Sequence, residues 1–317
     1  MPGLTNYPPF PDNVPTHPLL VVDYELLKAG DDEEIDKFWT AATTLGFWYM
    51  KNHGADELVS EMFDMGEETM DLPFEEKMNY KAPGANATDE TGARDTVEFI
   101  NISQDDALAF PTPVHRTYPS TVTARMEHTI RPFIQHSAAE GTLAQLHRLD
   151  ETSGSETRCI RNPPRPGGIS EEKAALGAHT DFGSMTFLHN RLGGCRWQYI
   201  KPIPGHAVCN LGDAMYIFSG GILKSNLHRV VPAPGAQAVL PRWSWRCSRV
   251  LATPSSPRPH RGEPRGRGRG RECPDRSVFG SGQTSKEWFA RRIRNQRTKN
   301  QKIWRQSRGT EHRPDAA

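Results

Sequence analysis

The first half of the chain alternates helical and extended patterns. Residues 19–22 are apolar and stop at Asp23, which predicts a short strand. Asp31 and Asp32 precede Ile35, Phe38, Trp39, Ala42 and Leu45, apolar at helical spacing, so a capped helix with that stripe inward is expected, ended by Gly46. Residues 47–50 read as a strand, and Asn52-His53-Gly54 as a turn in which His53 is structural. Asp56 opens a second helix, with Leu58, Met62, Phe63 and Met70 inward, that stops before Pro73. Gly, Asn, Thr and Pro dominate 80–118 around one strand-like piece at 97–102. The spacing of Val122, Met126, Ile130, Phe133, Leu143 and Leu146 predicts one long helix over 121–149, weakened at Gly141 by about 1 kcal/mol relative to Ala.

The second half changes period. Residues 185–188, 197–200, 207–210 and 215–218 read as short strands separated by Pro and Gly turns. Many short strands after a helical start predict an α+β fold. Its core would be a double-stranded β-helix (jelly roll), with an N-terminal helical/strand domain and flanking helices.

Charge divides the chain. Residues 246–317 hold 19 Lys and Arg against 6 Asp and Glu, while 1–245 hold 20 against 32, so the overall charge of +1 hides a basic tail on an acidic body. Residues 246–283 carry nine Arg and no Lys among Gly, Pro and Ser, and no packed strand is expected from them. Arg265-Gly-Arg-Gly-Arg-Gly-Arg271 resembles RG tracts that contact RNA, but interleaved aromatics are missing. The five Cys form no CxxC pair, which fits thiols in a reducing compartment. Residues 1–17, with five Pro, read as an extended polar segment and not as a signal peptide, and a cytoplasmic protein is expected.

The candidate chemistry lies between 177 and 244. His179 and Asp181, two apart on an extended stretch, project to the same side, and His228 could join them only through folding. Two imidazoles and one carboxylate on one face of an ion leave the other face open, as in non-haem Fe(II) oxygenases. Arg242 and Ser244 alternate onto one face of a strand and offer a guanidinium fork and a hydroxyl to a carboxylate. A zinc hydrolase can also use two His and a carboxylate, but it gives Arg242 and Ser244 no role. His189 and His206 have no partner pattern, and Asp213 reads as a turn residue.

The ordered set of His-x-Asp, a His about fifty residues on and Arg-x-Ser resembles the iron(II)/2-oxoglutarate-dependent oxygenases. Its surroundings resemble the isopenicillin N synthase-like branch: Gly177-Ala-His-Thr-Asp-Phe-Gly, Asn210-Leu-Gly-Asp and Ser225-Asn-Leu-His-Arg-Val-Val. Val22-Asp, Gly46-Phe-Trp-Tyr, Asn52-His-Gly and Leu72-Pro are similar to the N-terminal domain of that branch. The resemblance implies Fe(II) on His179, Asp181 and His228, with 2-oxoglutarate as cosubstrate on Arg242 and Ser244, and O2. It implies oxidative decarboxylation to succinate and CO2, coupled to oxidation of a C–H bond in a small organic molecule, including secondary metabolites. A monomer acting on a small molecule is expected, with neither membrane nor nucleic acid as partner.

The implied domains are an extended 1–17, an N-terminal domain with its bracing helix at 18–150 and a jelly-roll domain at 151–245. A disordered or frame-shifted 246–283 follows, then a C-terminal helix and tail at 284–317. Three departures qualify the resemblance. Asn162 stands where the family often has a Tyr, only Cys195 and Arg196 remain where a strand and turn are usual, and 246–283 breaks the pattern. A catalytically impaired, non-enzymatic remnant is therefore the alternative reading. A shifted reading frame or mis-spliced segment would leave such a middle between family-like ends. Translating the source DNA in the other two frames tests this.

Overall fold

The computed structural model describes residues 8–77, 80–82, 96–137, 147–164, 176–190 and 198–250. Their strands are β1 Val21–Asp23, β2 Phe47–Lys51, β3 Tyr80–Lys81, β4 Glu98–Ser103, β5 Glu156–Asn162, β6 Leu176–His179, β7 Met185–Asn190, β8 Ala207–Leu211, β9 His228–Val230 and β10 Arg242–Arg249. The α-helices are α1 Tyr24–Ala29, α2 Asp32–Thr44, α3 Asp56–Asp71, α4 Gln104–Ala109, α5 Ser120–Thr123, α6 Arg131–His136 and α7 Asp213–Phe218. Eight strands form one sheet in the order β1-β2-β8-β7-β10-β5-β4-β3, and β6 pairs with β9 in a second. Only β1 and β2 run parallel. The α+β class is as expected.

The central strand β10 shows why the sheet has one oily and one polar face. Side chains alternate along a strand. Trp243, Trp245 and Cys247 point to the helical side, where they join Met62, Met65, Met126 and Ile130 in the main core. Arg242, Ser244, Arg246 and Ser248 therefore share the opposite face, toward the small sheet. Helix α3 can lie close because of Gly66: a Cβ there would come 2.1 Å from Cys159 Sγ on β5.

His189, also on the helical side, is buried edge-on to His53 and Phe133, with ring centroids 5.1 and 6.2 Å away. Burial pushes its pKa down to about 3, and neighbouring His53 adds to the shift. The fold thus favours the neutral ring, whereas the unfolded chain takes up a proton near pH 6.5. The stability this gives is complete above pH 6.5 and is lost as pH falls toward 3, at up to about 1.4 kcal/mol per unit. Urea unfolding from pH 7.5 to 5 should show this loss, and His189→Phe should lose less. Equal losses would contradict it.

Several elements depart from expectation. The first strand is 21–23 rather than 19–22. Helix α2 has the expected Asp31 cap, accepting from Glu34 N at 2.9 Å, but its stripe is rotated. Glu34 is buried because its carboxylate accepts the Asp23 amide at 2.6 Å and pairs with Lys37 at 2.5 Å. Ala42 is buried as expected and Ala41 joins it, while Ile35 and Trp39 of the expected stripe are exposed, at 42% and 55%. The long helix over 121–149 is not formed. Helix α5, a π-helical turn at Met126–Ile130 and α6 follow one another, and the chain is no longer helical at His147. Pro132 has no N–H for the helical ladder, and a π turn absorbs such a fault. Val122, Met126, Ile130 and Phe133 are nonetheless buried as expected, while Gly141, Leu143 and Leu146 lie outside the described residues.

The apolar run at 215–218 belongs to helix α7, not a strand. A short apolar run fits either element by periodicity alone. Asp213 favours a helix start by its charge, and β8 already has β2 and β7 as neighbours. Of the strand expected at 197–200, only a bridge from Tyr199 to Thr16 exists, and Trp197 is not described. Residues 246–249 do pack: β10 runs through Arg249, with Cys247, Ser248 and Arg249 buried, because β5 and β7 pair with it on both sides. Cys195, residues 251–283 with the RG tract, and the expected C-terminal helix lie outside the described residues.

Candidate metal centre and cosubstrate pocket

Three donors converge between the sheets. His179 ends β6 and His228 begins β9, and the two are register partners, so their rings meet with centroids 4.4 Å apart. Asp181 is not on the strand, as the spacing suggested, but in the turn between β6 and β7. Hydrogen bonds fix it there instead. Its Oδ2 accepts from Thr186 Oγ1 at 2.7 Å and Asn210 Nδ2 at 2.9 Å, and its backbone carbonyl accepts from Asp213 N at 2.8 Å. Oδ1 is left facing the imidazoles, 3.8 Å from His179 Nε2 and 3.8 Å from His228 Nε2. One donor atom from each residue lies within 4.8 Å of the others, and this is the one such His/Cys/Asp/Glu group given by the described residues.

The surroundings orient these donors. His228 Nδ1 is 3.1 Å from the Asn226 carbonyl, which can only accept, so the proton sits on Nδ1 and Nε2 offers its lone pair inward. Phe47 packs edge-on against the same ring at 5.3 Å. Asp213 does more than shape a turn. It accepts from Thr180 at 2.9 Å and from Ser225 at 2.7 Å, tying the Asp181 loop to the approach of β9. Gly212 is required beside that loop, since a Cβ would stand 2.1 Å from the Gly183 carbonyl.

One residue here was not foreseen. Arg246 Nη2 donates to Asp181 Oδ1 at 2.7 Å. Burial alone would push the Asp181 carboxyl up. The Arg246 guanidinium, both imidazoles and the Thr186 hydroxyl outweigh it and hold the group well below the usual carboxylate range. The period-two alternation that joins Arg242 to Ser244 also places 246 on this face, so the signal was available.

Arg242 and Ser244 are buried further along the same face. Arg242 lies opposite Asn162 of β5, and both line a small cavity with Thr96, Pro232 and Gln237. Arg242 Nη1 donates to the Val231 carbonyl at 2.9 Å. Ser244 Oγ donates to Asn190 Oδ1 at 2.6 Å. Both polar atoms of the Asn162 side chain, and Gln237 Oε1, are buried without a hydrogen-bond partner. Such atoms are costly and commonly mark where a ligand or water belongs. His189 and His206 stand outside the cluster, as expected.

Two family models match the sequence: the 2OG-Fe(II) oxygenase superfamily over residues 146–249, and the N-terminal region of the non-haem dioxygenases of morphine synthesis over 19–120. The homoarginine-6-hydroxylase 2-ODD-233 of Oryza sativa subsp. japonica is 29% identical over 254 residues, covering 68% of this chain and 76% of that protein. The 2-oxoglutarate-dependent dioxygenase frbH of Dothideomycetidae sp. is 27% identical, covering 69% and 78%. Among solved structures, a 2OG-Fe(II) oxygenase family protein of Caulobacter crescentus superposes with a TM-score of 0.65 at 20% identity, covering 88% of this chain and 99% of that one. The rice dioxygenase for auxin oxidation gives 0.56 at 21%, covering 73% and 83%.

The chain belongs to the iron(II)/2-oxoglutarate oxygenase family and has its jelly-roll fold. It is an oxidoreductase of the 2-oxoglutarate-dependent dioxygenase class, whose members work with Fe(II), 2-oxoglutarate and O2. No helix among the described residues is long and apolar enough to cross a membrane.

Proposed function

We propose that His179, Asp181 and His228 hold the ferrous ion and that Arg242 and Ser244 seat 2-oxoglutarate, in an enzyme that oxidises a C–H bond of a small organic molecule. The observation that carries this is the convergence of one donor atom from each of two imidazoles and a carboxylate within 4.8 Å of one another. The donor types fit Fe(II), and no thiolate stands among them to favour zinc. When bound, iron with 2-oxoglutarate and O2 supplies the oxidising power, with succinate and CO2 as coproducts. The protein's own part is placement. The Asn226 carbonyl keeps the His228 proton away from the ion, and Thr186 and Asn210 hold Asp181 with one oxygen presented. Arg242 offers a charge-assisted, two-pronged contact to the distal carboxylate of the cosubstrate. Asn162 fills the place of the family's Tyr, and its orphaned amide is a further donor to that carboxylate.

The isopenicillin N synthase-like branch is part of this reading, on the text around His179, Asn210 and His228. The substrate class is a small organic molecule, which the rice relative named as a homoarginine-6-hydroxylase supports. Arg242→Gln should raise the KM for 2-oxoglutarate by about tenfold or more and leave Co(II) affinity unchanged, because the residue lies about 13 Å of strand away from position 246 beside Asp181. Succinate release at varied 2-oxoglutarate, with a Co(II) titration, measures both. An unchanged KM would remove Arg242 from the cosubstrate site.

A further inference from the structure

The two oxygens of Asp181 have different company. Oδ2 is held by Thr186 and Asn210, on the far side from the imidazoles. Oδ1 is equidistant from His179 Nε2 and His228 Nε2, at 3.8 Å, and is the oxygen a metal ion between them would take. Arg246 Nη2 stands 2.7 Å from that same Oδ1. A guanidinium carries a fixed positive charge and donates in a planar fork, so it satisfies a carboxylate much as a bound cation does. The cation is positioned by its strand: β10 is hydrogen-bonded on both sides, with 246 opposite Leu188 of β7 and Arg158 of β5. Arg158 adds positive charge close by, but its own side chain is engaged with Asn101 and Glu156. The Arg246 side chain is 22% exposed, whereas that of Asp181 is 4% exposed, so the guanidinium has a route out of the site and the carboxylate does not.

We propose that Arg246 is a tethered competitor for the metal position: it must leave Asp181 Oδ1 before a divalent ion binds there. This rests on the reading that His179, Asp181 and His228 form the metal site. Two consequences follow, with opposite signs. With Arg246 on Asp181 the metal-free protein is stabilised, because a buried carboxylate keeps a charged partner. Metal affinity is lowered, because only the fraction of molecules with Arg246 displaced can bind, and the apparent dissociation constant rises in inverse proportion to that fraction.

The test compares full-length wild type, Arg246→Met and Arg246→Gln by Co(II) titration and by thermal unfolding in chelator. Met keeps the length and removes charge and donor. Gln keeps a donor for Oδ1 without the charge, which protects the fold should Met fail. Each variant should bind Co(II) at least about tenfold more tightly than wild type. Arg246→Met should melt at a lower temperature in chelator yet gain more from added Co(II). A purely structural role predicts the lower melting temperature with no gain in affinity, and that result would overturn the proposal. Adding His228→Ala to each chain separates the two readings. If it abolishes binding while the Arg246 variants bind like wild type, the metal site stands and the competitor falls. If His228→Ala leaves Co(II) binding intact, the metal-site assignment fails and the proposal fails with it.

Discussion

Asp181→Ala is expected to remove metal binding and 2-oxoglutarate-dependent turnover together and to cost the fold about 3 kcal/mol. The functional loss follows from geometry: without Oδ1, two imidazoles remain on one side of an ion, with no anionic ligand to offset its charge. The stability loss has another origin. Asp181 is 4% exposed and accepts from Thr186, Asn210 and Arg246, so its removal strands a guanidinium and two neutral donors. Breaking one partner of a buried ion pair costs roughly 3–5 kcal/mol, and partial exposure of Arg246 places the value at the lower end. Asp181→Asn keeps shape and a neutral acceptor, and should recover most of the stability without recovering turnover. Urea unfolding and a succinate assay on both variants measure the two effects. Wild-type turnover in Asp181→Ala would refute the assignment.

Trp245→Ala should cost about 4 kcal/mol, the largest loss expected from the main core. Trp245 is fully buried, and its Nε1 donates to Thr157 Oγ1 at 2.6 Å. Truncation would leave both a large cavity and a hydroxyl without its donor. Trp245 also lies between Ser244 and Arg246 in sequence, on the opposite face of β10. Loosening it disturbs the strand that carries both cosubstrate and metal-side residues, so turnover should fall with stability. Equilibrium unfolding in urea measures the loss, and a cost below about 1 kcal/mol would show that the helices do not depend on this anchor.

The parts of the fold legible in the sequence were those where one local rule acted alone. Helix α3 followed its apolar stripe because Met62, Phe63 and Met70 on its inward face pack into the main apolar core. The Arg-x-Ser pair was legible because a spacing of two puts both side chains on one face of a strand, as β10 does. The failures share a cause, which is that a tertiary contact overrode the local pattern. Glu34 rotated α2 by binding the Asp23 amide. Asp181 reached the imidazoles from a turn rather than a strand, held by Thr186 and Asn210 from β7 and β8. The run at 215–218 became α7 and could not add beside β8, the strand before it, because β2 and β7 already flank β8. Arg246 was hidden differently: composition from 246 onward pointed away from packed structure, and strand pairing on both sides extended β10 through four of those residues. The Asn162–Arg242 pairing could not be read from sequence, since it depends on the register between β5 and β10.

The central claim is that two imidazoles and the Asp181 carboxylate bind one ferrous ion beside a 2-oxoglutarate site. An anaerobic titration of the full chain with Fe(II), in excess because Arg246 competes, with and without 2-oxoglutarate, tests it most directly. The account predicts a visible charge-transfer band from the iron–2-oxoglutarate chelate in wild type, and no band in His228→Ala. Folded wild type that never develops the band, or a band of equal strength in His228→Ala, would contradict it.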